Sequence, residues 1–358
     1  MRQACPKSQQ PTVEGVMIGA QPLGRDLGSF ASTKGSQSLF MVSRLGALLR
    51  ATETRVVLAL LGLIALVDVS LRLAEPRLSG NLAHVAEIPK LIAAAGEPQR
   101  HSLLLLGNSL TNNGVAAPVI KSAFPQMSIA KITPDATGLW DWQCLLDHQL
   151  IERREVQYDT VVIGFAWHLL SDQTRNDPSR LGALYCRMSD LAHPAAIGLQ
   201  SSGDIGEFIA AALLRPYALR DTLRNRFFQL AVPNYVQFTQ ADNAAGADAA
   251  EPSEGAHGAA AVDDTEYTYR TLAGVVDRLK SKGTRVIVVA MPVQSTYEID
   301  AELRELERSA GLTVIDLRKV AGLNSSHYSD RMHLNPVGQQ ILSKVLAADL
   351  HVELASAT

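Results

Sequence analysis

The run Leu103–Leu106, followed at once by Gly107, Asn108 and Ser109, constrains the fold more than any other stretch of the chain. Consecutive leucines predict a buried strand, and the segment after the serine is compatible with a helix. A strand that turns sharply into a helix places a side chain at the carboxyl end of a sheet, where open α/β folds carry out their chemistry. Ser109 also has a second interpretation, because serine is a common N-cap of a helix.

A second chemical element lies near the C-terminal end, where Asp330 precedes His333 by three positions. Asn335 and Pro336 then predict the start of a helix, as its N-cap and first residue, and that helix would hold the preceding loop. A serine hydroxyl becomes a nucleophile when a histidine takes its proton and a carboxylate orients the histidine's other nitrogen. Ser109, His333 and Asp330 supply these three roles. An Asp-x-x-His alone also fits half a metal site or a surface salt bridge.

These two segments resemble the sequence blocks of the SGNH/GDSL-like hydrolases and acyltransferases. The first block of that family is a Gly-Asp/Asn-Ser turn after the first strand, matched here by Gly107-Asn108-Ser109. The last block is Asp-x-x-His, matched by Asp330 and His333. The resemblance covers roughly residues 100–200 and 265–350, and it implies a membrane-anchored bacterial member of the family.

The resemblance implies a nucleophile at Ser109, a base at His333 and an orienting carboxylate at Asp330. It also implies an oxyanion hole formed by the backbone N–H groups of Ser109 and Gly138, the glycine of the second block. The third block departs from the family pattern, because His168 stands where an oxyanion Asn is expected. A ring N–H of His168 could replace that Asn. The alternatives are a structural histidine at 168 and a plain loop glycine at 138.

Trp140 and Trp167 lie beside the second and third blocks. Tryptophans next to a catalytic turn can stack on sugar rings, so both are candidate substrate-binding residues. Tryptophans near the ends of a sheet are also ordinary core residues, and the sequence leaves this alternative open.

The composition is that of a folded globular protein, with 47% hydrophobic and 19% charged residues. A formal net charge of -3 gives no indication of nucleic-acid binding. The chain has no dinucleotide-binding fingerprint and no phosphate-binding loop, so no nucleotide cofactor is expected. It has no His-Glu-x-x-His motif, and its nine histidines show no ligand spacing, so no metal is expected.

The N-terminal third contains the apolar run Val56–Val67, which Val69, Leu71 and Leu73 extend. Counted to Leu73, the run reaches the lower end of the length of a membrane span. No small-x-small cleavage site follows, which favours an uncleaved anchor over a signal peptide, and a buried soluble helix is the alternative. Arginines flank both ends, so they indicate no orientation. The resemblance implies an inner-membrane, single-pass protein whose catalytic domain is periplasmic or otherwise extracytoplasmic.

Alternating strands and helices predict an α/β fold with a parallel sheet between two helical layers. Five strands suit a flavodoxin-like, three-layer α/β/α arrangement, and the resemblance implies the same. The predicted strands are Ser102–Leu106, Met127–Ile132, Thr160–Phe165, Arg285–Ala290 and Thr313–Ile315. The predicted helices between them are Val115–Phe124, Asp141–Glu152, Tyr267–Lys280 and Ala301–Ala310.

The predicted organisation is a disordered tail at 1–54, a transmembrane anchor at 55–73, a linker or helix at 74–100 and an SGNH-like α/β domain at 101–355. The true start is either Met1 or Met41. Within the domain, a helical and low-complexity insertion occupies about 200–264. Its helical part, Asp204–Leu230, is amphipathic and fits a lid, a membrane-surface helix, a partner-docking face or a segment packed on the core. Whether Cys144 pairs with Cys186 cannot be read from the sequence.

The predicted function is that of a serine-dependent acyl-ester hydrolase or O-acyltransferase that works through an acyl-enzyme. The resemblance and the anchor suggest acyl groups on an extracytoplasmic polysaccharide or envelope glycan. An acylated small molecule or glycan is then the substrate, and a membrane-bound acyltransferase is a candidate partner. The sequence does not decide whether water or a sugar hydroxyl accepts the acyl group. The alternative is a non-catalytic envelope protein that uses the fold to bind glycan or a partner.

Overall fold

The computed structural model describes residues 52–96, 101–233 and 266–355. The low-complexity part of the insertion and all but the last residues of the predicted tail lie outside these ranges. The chain divides into two compact units, residues 1–62 and 63–358. The described part of the first unit is the beginning of helix α1, and the second unit contains the sheet.

Helix α1, Thr52–Leu78, includes the predicted anchor. A helix of 27 residues is about 40 Å long, which exceeds the roughly 30 Å thickness of a bilayer's hydrocarbon core. Its length and apolar composition are sufficient to cross a membrane, and its most apolar 18-residue window is not buried at all. The prediction of an apolar helix here is therefore confirmed.

Five parallel strands form one sheet in the order β2-β1-β3-β4-β5 within the described residues. The predicted fold class and flavodoxin-like sheet are confirmed, and each strand end agrees with its prediction to within one residue. Strands β1 and β3 are buried along their whole length, which explains their continuous apolar sequences. The strands are β1 Ser102–Leu106, β2 Ser128–Ile132, β3 Thr160–Phe165, β4 Arg285–Ala290 and β5 Thr313–Asp316.

The helices after α1 are α2 Gly80–Ala95, α3 Ser109–Gly114, α4 Ala117–Ala123, α5 Leu139–Leu146, α6 Pro178–Arg180, α7 Ser202–Leu213, α8 Arg215–Ala218, α9 Arg220–Ala231, α10 Arg270–Ser281, α11 Ala301–Ala310 and α12 Pro336–Ala355. Shorter turns are of the π type at Asp147–Ile151 and Leu181–Tyr185, and of the 3-10 type at Met188–Ala192, Pro194–Ile197 and Ser325–His327. The predicted helix Asp141–Glu152 thus begins earlier and ends as a π turn.

The sheet lies between two helical layers, as predicted. Side chains alternate along β1, so that Leu104 and Leu106 belong to one apolar cluster and Leu103 and Leu105 to another. Helices α2, α5, α10 and α11 contribute to the first cluster, and helices α4 and α12 to the second. The buried sheet leaves its carboxyl edge as the place where loops can present polar side chains.

The helical insertion is three helices instead of one continuous segment. Pro216 interrupts it in the first turn of α8, because proline lacks the N–H that a helix interior requires. Helix α7 packs on the core through Phe208 and Ala211, whereas α9 has no buried residue. Packing on the core therefore explains the position of α7 and does not explain that of α9.

Cys144 in α5 and Cys186 after the second π turn form a disulfide, which the sequence had left open. Their separation of 42 residues closes a loop whose constraint on the unfolded chain corresponds to about 4 kcal/mol in the chain-entropy model. The bond joins α5 to the short connection between the π turn Leu181–Tyr185 and the 3-10 turn Met188–Ala192.

Candidate active site

Ser109 is the first residue of α3, and Asn108 is the N-cap of that helix. The Asn108 Oδ1 accepts a hydrogen bond from Leu110 N at 3.0 Å, and its Nδ2 donates to Thr137 O at 3.1 Å. The N-cap interpretation of Ser109 is therefore wrong, since Asn108 fills that position. The Ser109 hydroxyl remains for other partners.

Gly107 and Gly164 allow α3 to pack directly on the ends of β1 and β3. A Cβ atom at either position would lie 2.0 Å or 2.1 Å from the Thr111 hydroxyl oxygen, respectively. Because Thr111 is buried, a side chain at either position would require it to shift, and glycine avoids that cost. This close approach places the start of α3, and with it Ser109, at the carboxyl edge of the sheet.

A chain of hydrogen-bonding contacts joins the three residues predicted to form a triad. The Ser109 Oγ lies 2.9 Å from His333 Nε2, and His333 Nδ1 lies 2.8 Å from Asp330 Oδ2. The other carboxylate oxygen, Asp330 Oδ1, accepts hydrogen bonds from the backbone N–H groups of Met332 and His333, both at 2.7 Å. The aspartate is therefore held by its own loop while it contacts the imidazole.

The charge state of Asp330 follows from these contacts. Burial opposes its ionisation, but the hydrogen bonds from His333 and Met332 outweigh burial and hold the pKa of Asp330 below its usual value. An ionised Asp330 accepts from His333 Nδ1–H, which leaves the Nε2 lone pair of the neutral ring facing the Ser109 hydroxyl. This tautomer is the one that can take a proton from serine.

Helix α12 fixes the loop that carries Asp330 and His333. The Asn335 Oδ1 accepts from the N–H groups of Val337 and Gly338 at 3.0 and 3.1 Å, which confirms the predicted helix start. The Asn335 Nδ2 also donates to Ser326 O at 2.8 Å. The loop is thereby bonded at both of its ends.

Gly138, predicted as an oxyanion donor, has its N–H engaged in this structure. It donates to Asp141 Oδ2 at 3.0 Å, as the N-cap of α5. Asp141 is buried and forms a two-pronged ion pair with Arg180, with both N–O distances at 2.9 Å. For Gly138 to hold an oxyanion, its hydrogen bond to Asp141 has to be shared or opened.

His168 belongs to a second histidine–aspartate pair. Its Nδ1 lies 3.0 Å from Asp300 Oδ2, and the same oxygen accepts a hydrogen bond from the Tyr269 hydroxyl. The His168 ring stacks on Tyr267, with ring centroids 3.5 Å apart and planes 2° from parallel. Burial opposes ionisation of Asp300, but the hydrogen bonds from His168 and Tyr269 hold its pKa below the usual value.

Trp167 lies close to the triad. Its backbone φ of +49° is left-handed, a conformation that costs on the order of 1–3 kcal/mol in a non-glycine residue. The ring packs in a small cluster with Leu110, which follows Ser109, and Met332, which precedes His333, packs against the same cluster. The Trp167 indole N–H is buried and has no hydrogen-bond partner among the described residues. Trp167 therefore packs against the neighbours of Ser109 and His333 and supports the two loops that carry these residues, called the triad loops.

Trp140 occupies a different place. Only 6% of its surface is exposed, its Nε1 donates to Thr174 O at 3.2 Å, and its ring packs over Gly198. It lines a cavity of about 160 Å³ to which none of Ser109, Asp330 or His333 contributes. The structure thus associates Trp167, and not Trp140, with the triad loops.

A larger open cavity of about 560 Å³ adjoins the Asp330–His333 loop. Val293 and Tyr328 are among its lining residues, and Gln294 N donates to Arg331 O in that loop at 3.0 Å.

Sequence reasoning missed Asp141, Arg180 and Asp300. Asp141 had a detectable signal, because an acidic residue at the third position of a helix can accept from the N-cap N–H, which is one half of a capping box. Asp300 had none, since it lies 132 residues from His168 and no local pattern connects them.

No protein-family model matches the chain, and no curated protein matches it. Among solved structures, it is similar to the acetylxylan esterase Axe2 of Geobacillus stearothermophilus, with 13% identity and a TM-score of 0.33 over 71% of this chain and 95% of that one. It is also similar to the acetyl xylan esterase Est2A of Butyrivibrio proteoclasticus, with 10% identity and a TM-score of 0.34 over 71% of this chain and 64% of that one.

These likenesses are too distant to assign an activity. The molecule itself defines a three-layer α/β protein with the fold that the SGNH/GDSL-like resemblance implied. Its serine follows β1, and its Asp–His loop precedes the last described helix.

Proposed function

We propose that this chain is a serine-dependent acyl-ester hydrolase or O-acyltransferase that forms an acyl-enzyme on Ser109. The observation that carries the proposal is the continuous Ser109–His333–Asp330 contact chain at the carboxyl edge of the sheet. Each contact joins the atoms that the reaction needs, and the low pKa of Asp330 keeps its charge available to a protonated His333.

In the first half-reaction, His333 Nε2 takes the hydroxyl proton as Ser109 Oγ attacks the acyl carbon. The ester C–O bond then breaks, and protonated His333 returns the proton to the leaving alkoxide. In the second half-reaction, water or a sugar hydroxyl gives its proton to His333 and attacks the acyl carbon. The bond between that carbon and Ser109 Oγ then breaks, and protonated His333 returns the proton to Ser109 Oγ. Asp330 stabilises the imidazolium in both halves.

The proposed oxyanion donors are the N–H groups of Ser109 and Gly138 and the ring of His168. The amide of Ser109, as the first residue of a helix, has no acceptor within that helix. His168 Nδ1–H donates to ionised Asp300, so its Nε2 carries a proton only in the imidazolium form. One such donor typically contributes about 10²–10³ in rate.

The proposed substrates are acylated small molecules or O-acyl groups on an extracytoplasmic polysaccharide or envelope glycan. The protein would be a single-pass inner-membrane protein held by α1, with its catalytic domain on the periplasmic side. The Cys144–Cys186 disulfide supports this side, because disulfides persist in oxidising compartments. A membrane-bound acyltransferase is the proposed partner for transfer of the acyl group.

A non-catalytic role in glycan or partner binding is the second candidate. This role is favoured because two of the proposed oxyanion donors already have partners. The Gly138 N–H donates to Asp141, and His168 Nδ1 is bonded to Asp300. An active-serine probe separates the two candidates, because a fluorophosphonate reacts only with an activated hydroxyl.

We expect a fluorophosphonate to label the wild-type protein and not Ser109→Ala. Ser122→Ala is the matched control, since Ser122 is an exposed serine whose hydroxyl bonds only to its own helix at Pro118 O. It should label as the wild type does. A folded wild-type protein that remains unlabelled would favour the binding role.

The proposed anchoring is tested by extraction. If α1 spans the membrane, the full-length protein should stay with membranes through high-salt and alkaline washes. Recovery of the intact chain in the soluble fraction would contradict the anchor and leave the catalytic proposal standing.

A further inference from the structure

Helices α7 to α9 expose large apolar side chains that the domain does not use. Leu213 is 57% exposed and Leu214 41%, and in α9 Phe227 is 65% and Leu230 83% exposed. Large apolar side chains exposed together in one segment indicate an interaction site more than isolated surface leucines do. We call the surface formed by these four residues and the rest of α9 the insertion surface.

The insertion surface is bonded to the end of the candidate membrane span. Asp68, Arg72 and Glu75 share one face of α1, because they are spaced at four and three residues. The Arg215 N–H donates to Asp68 Oδ1 at 2.6 Å, and the Arg215 guanidinium lies 3.1 Å from the Glu75 carboxylate. Arg72 donates to Leu213 O at 3.1 Å. These contacts hold Leu213 to Arg215 against the last turns of α1.

These contacts also set the height of the surface relative to a membrane. The uninterrupted apolar run of α1 ends at Val67 and the predicted span ends at Leu73, so Asp68, Arg72 and Glu75 lie at the end of the span, where polar side chains can reach the headgroup region. Residues bonded to those positions lie at the level of the lipid headgroups. Leu213 and Leu214, immediately beside Arg72, are therefore placed where apolar side chains can enter a bilayer surface.

The charge of the segment matches an anionic lipid surface. Residues 213–232 contain four arginines and one aspartate. Arg215 pairs with Glu75 and Arg220 with Glu207, both outside the segment, so Arg224, Arg226 and Asp221 leave a net charge of +1. Arg224 and Arg226 stand in α9 directly before Phe227 and Phe228. Helices that lie in a membrane interface combine basic residues with exposed aromatic and leucine side chains in this way.

We propose that the insertion surface rests on the anionic lipid surface of the membrane that α1 anchors. The proposal depends on the anchoring proposed for α1. The span and the surface then form two attachments, which fix the tilt of the catalytic domain.

The same arrangement brings the carboxyl edge of the sheet towards the membrane. Asn81 and His84 in α2 accept hydrogen bonds from Asp135 N and Thr133 N, just after β2, at 2.9 and 3.1 Å. Helix α2 begins two residues after α1 ends. The anchor therefore joins the domain at the edge that carries Ser109.

The test uses the full-length protein in lipid nanodiscs that contain phosphatidylglycerol and nitroxide-labelled lipid. In a Cys5→Ser background, Phe227→Cys and Leu230→Cys each carry an environment-sensitive fluorophore. The control is Val352→Cys, which is 68% exposed and lies near the opposite edge of the sheet, where Glu353 O accepts from Arg285. We expect blue-shifted, quenched emission from positions 227 and 230 and neither effect at 352.

A charge variant sharpens the test. Arg224→Gln with Arg226→Gln should lower the quenching at position 230 towards the control level in anionic discs. Discs of neutral phosphatidylcholine should give weaker quenching than anionic discs from the start.

Three outcomes would overturn the proposal. Unquenched labels at 227 and 230 in a protein that incorporates into discs overturn the proposal alone. Labels shielded only as protein concentration rises would indicate a second copy as the occupant. Failure to incorporate into discs overturns the anchor and this proposal together, while fluorophosphonate labelling of Ser109 still reports separately on the catalytic proposal.

Discussion

Two histidines in this molecule hold an aspartate in nearly the same way. His333 Nδ1 lies 2.8 Å from Asp330, and His168 Nδ1 lies 3.0 Å from Asp300. Both side chains are partly exposed, at 24% for His333 and 33% for His168. In both pairs the pKa of the aspartate is lowered by the hydrogen bond from its histidine.

The pairs differ in what surrounds them. Asp330 is three residues from its histidine and bonded to the loop backbone, and His333 Nε2 faces the Ser109 hydroxyl at 2.9 Å. Asp300 is shared with a tyrosine hydroxyl, and the His168 ring is covered on one face by Tyr267. A histidine–aspartate pair orients an imidazole in either setting. The group at its second nitrogen determines whether it can act as a base.

The largest expected effect concerns His333 and the serine that it faces. Ser109→Ala and His333→Ala should each lower kcat/KM for an aryl acetate by roughly 10³-fold or more, because a triad works as a unit. Both variants should remain folded by circular dichroism. Full activity in Ser109→Ala would remove Ser109 from the reaction.

A matched pair of substitutions compares the two aspartates. Asp330→Asn should reduce kcat by roughly 10²–10⁴-fold, because it removes the charge that stabilises imidazolium and favours the wrong tautomer. Asp300→Asn should have a smaller effect, limited to the share of rate that one oxyanion donor supplies. Steady-state kinetics on both variants measures the difference. Equal losses would mean that the pairs contribute alike.

His168→Ala tests the donor role of the second pair. Loss of a transition-state donor should lower kcat by about 10²-fold with little change in KM, and His168→Asn should keep substantial activity. A structural histidine gives the opposite pattern, in which His168→Ala loses its stacking on Tyr267, melts at a lower temperature and keeps a normal kcat. Thermal melting and kinetics on both variants distinguish the two.

The smallest expected effect concerns the helix that carries Ser109. Lys131 Nζ donates to Asn112 O and Val115 O, at 2.8 and 2.7 Å, around the C-terminal end of α3. Burial lowers the pKa of Lys131 to about 8 in the folded protein. The unfolded chain, with an ordinary lysine pKa of about 10.4, then holds more protons above pH 8, so stability should rise from about pH 8 to about pH 10.

Urea unfolding across that pH range measures this contribution. In Lys131→Met the rise due to this group should be absent. An unchanged pH dependence in Lys131→Met would show that Lys131 titrates alike in the folded and unfolded chain.

Local patterns predicted much of the fold. The apolar runs of β1, β3 and β4 are continuous because both faces of these strands are buried. The runs themselves therefore located these strands in the sequence. Helix boundaries were less accurate, since Pro216 divided the insertion and a π turn replaced the end of the predicted helix after Asp141. The break at Pro216 follows from its missing N–H, which is a local property of the chain.

The sequence by itself determined the chemistry available at the sheet edge. Gly107, Asn108 and Ser109 encode a strand–turn–helix through backbone sterics and capping, and Asp330 and His333 precede a helix that Asn335 starts. These are local interactions among neighbours in the chain, so residue types and spacing were sufficient to predict them.

Tertiary structure decided which polar groups meet. Arg180 pairs with Asp141 across 39 residues, and Asp300 holds His168 across 132 residues. Hydrogen bonds require their atoms to approach within about 3 Å. For residues this far apart in sequence, only the packing of helices on the sheet sets that distance.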